Sequence, residues 1–227
     1  MEWILVLSLA LLLLPGLALK RRERSREAQA GGLPAIRPEL EALWEWQHQN
    51  IPLKYFGGGA QHPFDYYFTR ESRVEVSTID EIVAWLLECH YVSDREQFNE
   101  RDHWQHPVDF EVTRKGDCED FALWAWRKLV ELGHDAEFMV GKWVRGERAG
   151  SHAWVLLRHA GETWVFESTG RSPMRVMRRH AEAAAHYVPF ASVDKALKKK
   201  VYQGIAWWAL HEKGVQDGGP EASEWNR

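Results

Sequence analysis

The stretch Lys115-Gly116-Asp117-Cys118-Glu119-Asp120-Phe121-Ala122 decides how this chain is read. Gly116 lets the backbone turn tightly, and Asp117 is a residue type that caps helices. From Asp120 to Leu132 the pattern is strongly helical, and Gly133 closes it. Cys118 therefore stands at a helix start. Free backbone N–H groups and the helix dipole favour a thiolate there, and the thiolate is the nucleophilic form of cysteine.

Downstream of this helix the periodicity changes. Ala136–Val144, His152–Arg158 and Thr163–Glu167 read as strands, and His159-Ala160-Gly161-Glu162 joins the last two as a hairpin. Helices followed by an antiparallel hairpin predict an α+β fold with a small antiparallel sheet, not a parallel one. In Gly150-Ser151-His152-Ala153-Trp154-Val155, His152 heads a strand. A rigid strand end beside a helix N-terminus can hold an imidazole against a thiol. Glu167 closes the next strand, where a paired hairpin would bring it to His152 as the third, orienting group. The plain readings are a small buried cysteine and a polar edge histidine. The ordered set of thiol, imidazole and carboxylate is much less expected by accident. His134 and His159 compete as bases, but both fall in turns.

Working outward, Thr78–Cys89 reads as a helix capped by Ser77 or Thr78, and Glu39–Gln49 as a short amphipathic one. Tyr91–Glu111 lacks a period and reads as loop. Phe56-Gly57-Gly58-Gly59 is a flexible loop without the Lys-Ser/Thr ending of a phosphate loop. Val193–His211 reads as a final helix, with Val201, Ile205, Trp207, Trp208 and Leu210 toward the core and Lys198–Lys200 solvated. Trp3–Leu19 is apolar except for Ser8. As a helix it spans roughly 26 Å against a hydrocarbon core of ~30 Å. Glu2 precedes it, and no A-x-A pattern closes it, so an uncleaved anchor fits better than a signal peptide. Residues 1–19 then form a membrane anchor, 20–38 a basic linker, 39–212 the folded domain and 213–227 a disordered tail. The basic run after Leu19 argues for a cytoplasmic domain.

Composition removes several classes. The net charge of −4 gives no global pull on nucleic acid. Two cysteines, Cys89 and Cys118, make no disulfide framework, although one bridge between them is allowed. No Cys or His spacing suits a zinc site.

The runs Tyr91-Val92-Ser93-Asp94, Asp102-His103-Trp104-Gln105-His106-Pro107 and Gly116-Asp117-Cys118-Glu119-Asp120-Phe121-Ala122 resemble the bacterial transglutaminase-like cysteine proteinases, in the papain superfamily. The resemblance covers roughly Leu40–Gly170 and implies a papain-like, transglutaminase-like core. It implies Cys118 as nucleophile, His152 as base and then acid, and Glu167 where the family usually has Asp. The oxyanion would be held by the Cys118 N–H, with the Trp104 indole as a candidate second donor. Periplasmic members of the family need calcium beside the cysteine, and the matching residues are Asp117 and Glu119. Carboxylates flanking a thiol oppose its ionisation, and a hard cation would offset them. The plain reading is that Asp117 caps the helix and Glu119 and Asp120 complement its dipole.

The resemblance places the anchor in a bacterial inner membrane, and the sequence leaves the side of the domain open. The function it implies is a membrane-anchored cysteine peptidase acting on a protein or peptide substrate. Acyl transfer to an amine and a non-catalytic partner-binding domain are the competing readings.

Overall fold

The computed structural model describes residues 41–146 and 148–211 and the backbone of Gln216 and Asp217. The expected anchor over 1–19, linker over 20–38 and tail over 213–227 lie outside the described residues, save that backbone pair. Among the described residues no helix is long and apolar enough to cross a membrane.

The strands are β1 (Trp46–Gln49), β2 (His90–Tyr91), β3 (Lys115–Gly116), β4 (Asp135–Arg145), β5 (Arg148–His159), β6 (Glu162–Phe166), β7 (Met177–Arg179), β8 (Tyr187–Asp194), β9 (Lys199–Tyr202) and β10 (Gln216–Asp217). The helices are α1 (Ile79–Leu87), α2 (Asp94–Gln97), α3 (Pro107–Thr113), α4 (Cys118–Glu131), α5 (Pro173–Val176), α6 (His180–Ala183) and α7 (Gln203–His211). Among the described residues the main sheet has eight strands, ordered β1-β9-β8-β4-β5-β6-β7, with β10 added to β5. Its path is antiparallel throughout, and only the β10 pairing is parallel. The α+β class is as expected, on a larger sheet.

The centre of the fold is α4 lying on β4 and β5. It buries Phe121, Leu123, Trp124, Trp126 and Leu129 against Phe138, Val155 and Leu157. Truncating a buried Trp or Phe of this kind typically costs about 3–5 kcal/mol. Even the polar side of α4 is covered. Arg127 donates to the carbonyls of Tyr67 (3.1 Å) and Arg70 (2.7 Å), and Lys128 donates to that of Val74 (2.6 Å). Two buried cations thus fasten the irregular upstream segment to the helix. A second core, of Met139, Trp143, Trp154, Leu156, Val165, Tyr187 and Tyr202, forms apart from the first.

Local chemistry explains the boundaries. Thr78 Oγ1 accepts from the Glu81 N–H at 3.2 Å and starts α1. Gly133, at φ +84°, follows the end of α4. The β5–β6 hairpin turns on Ala160 and Gly161, both at positive φ, as a two-residue turn requires.

One irregularity has consequences for the site. Val140 faces Ala191 and Gly141 faces Pro189, so β8 carries an extra residue, Phe190, in a bulge. A Cβ on Gly141 would run into the Val188 carbonyl, so glycine is what lets the strands close there.

Three expectations are corrected. Trp46–Gln49 is strand β1 rather than part of a helix, because it pairs with β9. Val193–His211 is not one helix: it is the end of β8, a turn, β9 and then α7. Strand pairing with β8 overrides the helical spacing. Within that segment Leu210 is exposed, Trp208 is buried, and Lys200 is ion-paired rather than solvated. Tyr91–Glu111 is not all loop. It holds α2 and the start of α3, whose Pro107 follows a His106 that caps the Val108 N–H at 3.1 Å.

Candidate active site

Cys118 is the first residue of α4. The short strand β3 leads into it and is pinned by pairing with β2, His90 to Lys115 and Tyr91 to Gly116. Gly116 is packed so closely that a Cβ would meet the Asp120 and Gln105 side chains. Asp120 accepts from the N–H of Gln105 at 2.8 Å and from that of Asp117 at 3.3 Å, which fixes the first turn. Both cysteines are free thiols. Cys89 is buried in the core, where burial pushes its thiol up to about 12, while Cys118 is half-buried. The optional bridge between them is not formed.

His152 lies in β5 opposite Gly141. Its ring is almost wholly buried, and Nε2 sits 2.8 Å from Glu167 Oε2. The Cys118 thiol donates to Glu119 Oε2 at 3.3 Å and lines the same pocket as the His152 ring. Cys118 and His152 are therefore brought into one pocket, with Glu167 bonded behind His152. Burial is the largest influence on the His152 imidazole and lowers its pKa. The Glu167 charge and hydrogen bond, with the neighbouring Cys118 sulfur, together outweigh it and raise the pKa to about 10. Burial pushes Glu167 up, but the His152 charge and the bonds from His152, Thr169 and Tyr187 bring it below its ordinary value. Burial pushes the Cys118 thiol up, with the Asp117 charge adding to it, against the influence of the neighbouring His152 ring.

Beside the thiol lies a cluster of carboxylates from three chain segments. Ligand atoms of Asp117, Cys118 and Glu119 lie within 4.8 Å of one another, as do those of Asp94, Asp117 and Asp120, and those of Asp94, Asp102 and Glu119. Asp94 Oδ1, Asp117 Oδ1 and Glu119 Oε1 are buried and have no hydrogen-bond donor. Burial drives Asp94 up to about 6, and neighbouring Asp117 adds to that. Burial and the surrounding negative charges hold Glu119 and Asp120 well above the usual carboxylate range. Orphaned carboxylate oxygens converging in a buried space fit a hard cation such as calcium, which takes oxygen ligands. They fit it better than Asp117 and Glu119 alone, because Asp94 and Asp102 come from elsewhere in the chain.

Trp104 lines the same pocket as Cys118 and His152. Its indole N–H, however, is donated to Asp102 Oδ1 at 2.8 Å and is not held open for a substrate oxygen. Asp102 also accepts the Gly59 N–H at 2.7 Å, and a Cβ on Gly59 would strike Trp104 and Asp102. The triple-glycine segment is thus a close-packed support for the acidic cluster. His134 and His159 meet edge to face, 5.4 Å between ring centroids, and neither lines the pocket. Sequence reasoning did not single out Asp94 and Asp102 as ligands, or Thr169 and Tyr187 at Glu167. Asp94 and Asp102 did lie within the runs that carried the resemblance. Thr169 and Tyr187 had no sequence signal.

The pocket encloses about 820 Å³. Cys118, His152 and the acids line one part, and Val140, Phe190, Ile205 and Trp208 give it an apolar side. It brings together a thiol, a carboxylate-bonded imidazole and an apolar wall.

Legionella pneumophila LapG is matched at 22% identity over 59% of this chain and 75% of that one, with a TM-score of 0.43. Its calcium-bound form is matched at 22% identity over 50% of this chain and 61% of that one, TM-score 0.40. Its EGTA-treated form gives 22% identity over 50% and 60%, TM-score 0.39. The match to the calcium-bound form thus spans less than two thirds of that structure's chain. No curated protein matches. Residues 59–172, half of the chain, match the sequence pattern of the bacterial transglutaminase-like cysteine proteinases. The chain belongs to the bacterial transglutaminase-like cysteine proteinase family.

Proposed function

We propose that this chain is a cysteine peptidase in which Cys118 is the nucleophile, His152 the proton carrier and Glu167 the group that orients it. The observation that carries the reading is the buried hydrogen bond between Glu167 and His152, with His152 and Cys118 lining one pocket. The Cys118 sulfur attacks a peptide carbonyl, forming the C–S bond, and the oxyanion is met by backbone N–H at the head of α4. The His152 imidazolium gives its proton to the leaving amine nitrogen as the C–N bond breaks. His152 then takes a proton from water, which attacks the thioester carbonyl. The C–S bond breaks and the acid product leaves.

Asp94, Asp102, Asp117 and Glu119 would hold a calcium ion, which when bound supplies positive charge beside the thiol and compensates the carboxylates. What supports this is the set of orphaned buried oxygens. Residues 1–19 are the membrane anchor, 20–38 its linker and 39–212 the peptidase domain. Composition alone supports that division, and fractionation of the full chain with and without residues 1–19 tests it.

The test of the chemistry is alkylation of Cys118 by iodoacetamide in the Cys89→Ser chain, with calcium, followed across pH. Reactivity is expected well below the ordinary thiol value of ~8.5, and His152→Ala should abolish it. An ordinary thiol profile unaffected by His152→Ala would overturn the reading.

A further inference from the structure

A glutamate has one more torsion than an aspartate, and a carboxylate that orients an imidazole must be kept from rotating. Glu167 is fully provided with donors. Oε2 takes His152 at 2.8 Å and the Tyr187 hydroxyl at 2.8 Å. Oε1 takes the Thr169 hydroxyl at 2.6 Å and the Thr169 N–H at 3.3 Å. All these groups are buried. The Glu167 backbone is also tied down, its N–H donating to the Val176 carbonyl at 2.7 Å.

We propose that Tyr187 and Thr169 are positioning residues of the active site, clamping the two oxygens of Glu167 so that one of them stays in line with His152. Neither lines the pocket, so they act on the reaction only through Glu167. The clamp joins three parts of the chain: the turn after β6, the start of β8, and β5 with its histidine. This inference rests on the peptidase reading above.

The experiment uses the full Cys89→Ser chain with calcium, labelled with ¹⁵N-histidine. It follows the iodoacetamide labelling rate of Cys118 at one fixed pH and the ring nitrogen signals of His152. His152→Ala identifies those signals and gives the rate of an unassisted thiol. Tyr187→Phe and Thr169→Val are each expected to slow labelling about tenfold, as fits loss of one hydrogen bond to a charged group, and to move the His152 Nε2 signal. Thr169→Ser should restore both. Tyr202→Phe, which removes a hydroxyl from a different buried glutamate, should leave both unchanged. If Tyr187→Phe does not fold, the Thr169→Val and Thr169→Ser pair decides the question. Wild-type labelling and an unmoved signal in the clamp variants, with His152→Ala slow, would overturn the clamp and leave the peptidase reading standing. A His152→Ala rate equal to wild type would remove the peptidase reading and this one with it.

Discussion

Two buried glutamates on this sheet have nearly the same neighbours and different consequences. Glu137 accepts from a serine, Ser192, at 3.0 Å and a tyrosine, Tyr202, at 3.2 Å. Glu167 accepts from a threonine, Thr169, and a tyrosine, Tyr187. The counter-ions differ. Glu137 meets Arg158 at 2.8 Å and Lys200 at 2.9 Å, permanent cations at working pH. Glu167 meets one imidazole, which can give up its proton and shares a pocket with a thiol. A buried carboxylate between fixed cations is a tie. The same carboxylate facing a titratable cation can orient a proton in transit.

Substitutions can break this contrast, and the largest effect should be on stability. Glu137→Ala leaves two cations around an emptied polar site and should cost about 3–5 kcal/mol by denaturant unfolding. Cys118 in the protein that remains folded should still label at the wild-type rate. Glu167→Gln should do the reverse. Its expected effect is a fall in Cys118 labelling of about a hundredfold, within the range of general acid–base contributions, with a smaller loss of stability. If Glu137→Ala slows labelling as much as Glu167→Gln, the two glutamates are not functionally distinct.

Calcium sharpens the contrast by bringing in a third group of acids. A hundredfold excess over its Kd should stabilise the fold by about 2.7 kcal/mol, seen as a higher unfolding midpoint that EGTA reverses and Asp94→Asn abolishes. The pH dependence separates the acids further. Glu137 is held below its ordinary value, burial being outweighed by Lys200 and Arg158. Its stabilisation is therefore present above the unfolded value and lost as pH falls through the folded one. Asp94 is raised from 3.8 to about 6, so the folded state binds that proton more tightly than the unfolded state does. Without calcium its contribution should weaken as pH rises through that window, and with calcium the slope should disappear. The smallest effect expected is at Thr78, remote from all three acids. Thr78→Ala should cost about 1 kcal/mol and leave labelling and calcium response untouched.

The segments legible in the sequence were those whose signals are local. The turn, cap and period around Cys118 lie within one helical segment, and Ala160-Gly161 has the form of a hairpin turn. The acids that meet Asp117 and Glu119 could not be read the same way. Asp94 and Asp102 are ordinary loop acids until β2, β3 and α4 fold them together. The Lys198–Lys200 run looked like a solvated helix face because its partner, Glu137, is more than sixty positions away on another strand. Trp104 was read for its donor alone, and its acceptor two residues earlier was overlooked.

The bulge at Phe190 acts as a phase correction. Tyr187 and Ser192 are an odd number of positions apart, so an unbroken strand would point them to opposite faces. The extra residue between Pro189 and Ala191 shifts the alternation by one, and each hydroxyl reaches a glutamate beyond the same face of β8. The displaced Phe190 lines the pocket wall near Trp208. Deleting Phe190 would remove more than an aromatic wall: the strand would have to choose which glutamate keeps its hydroxyl.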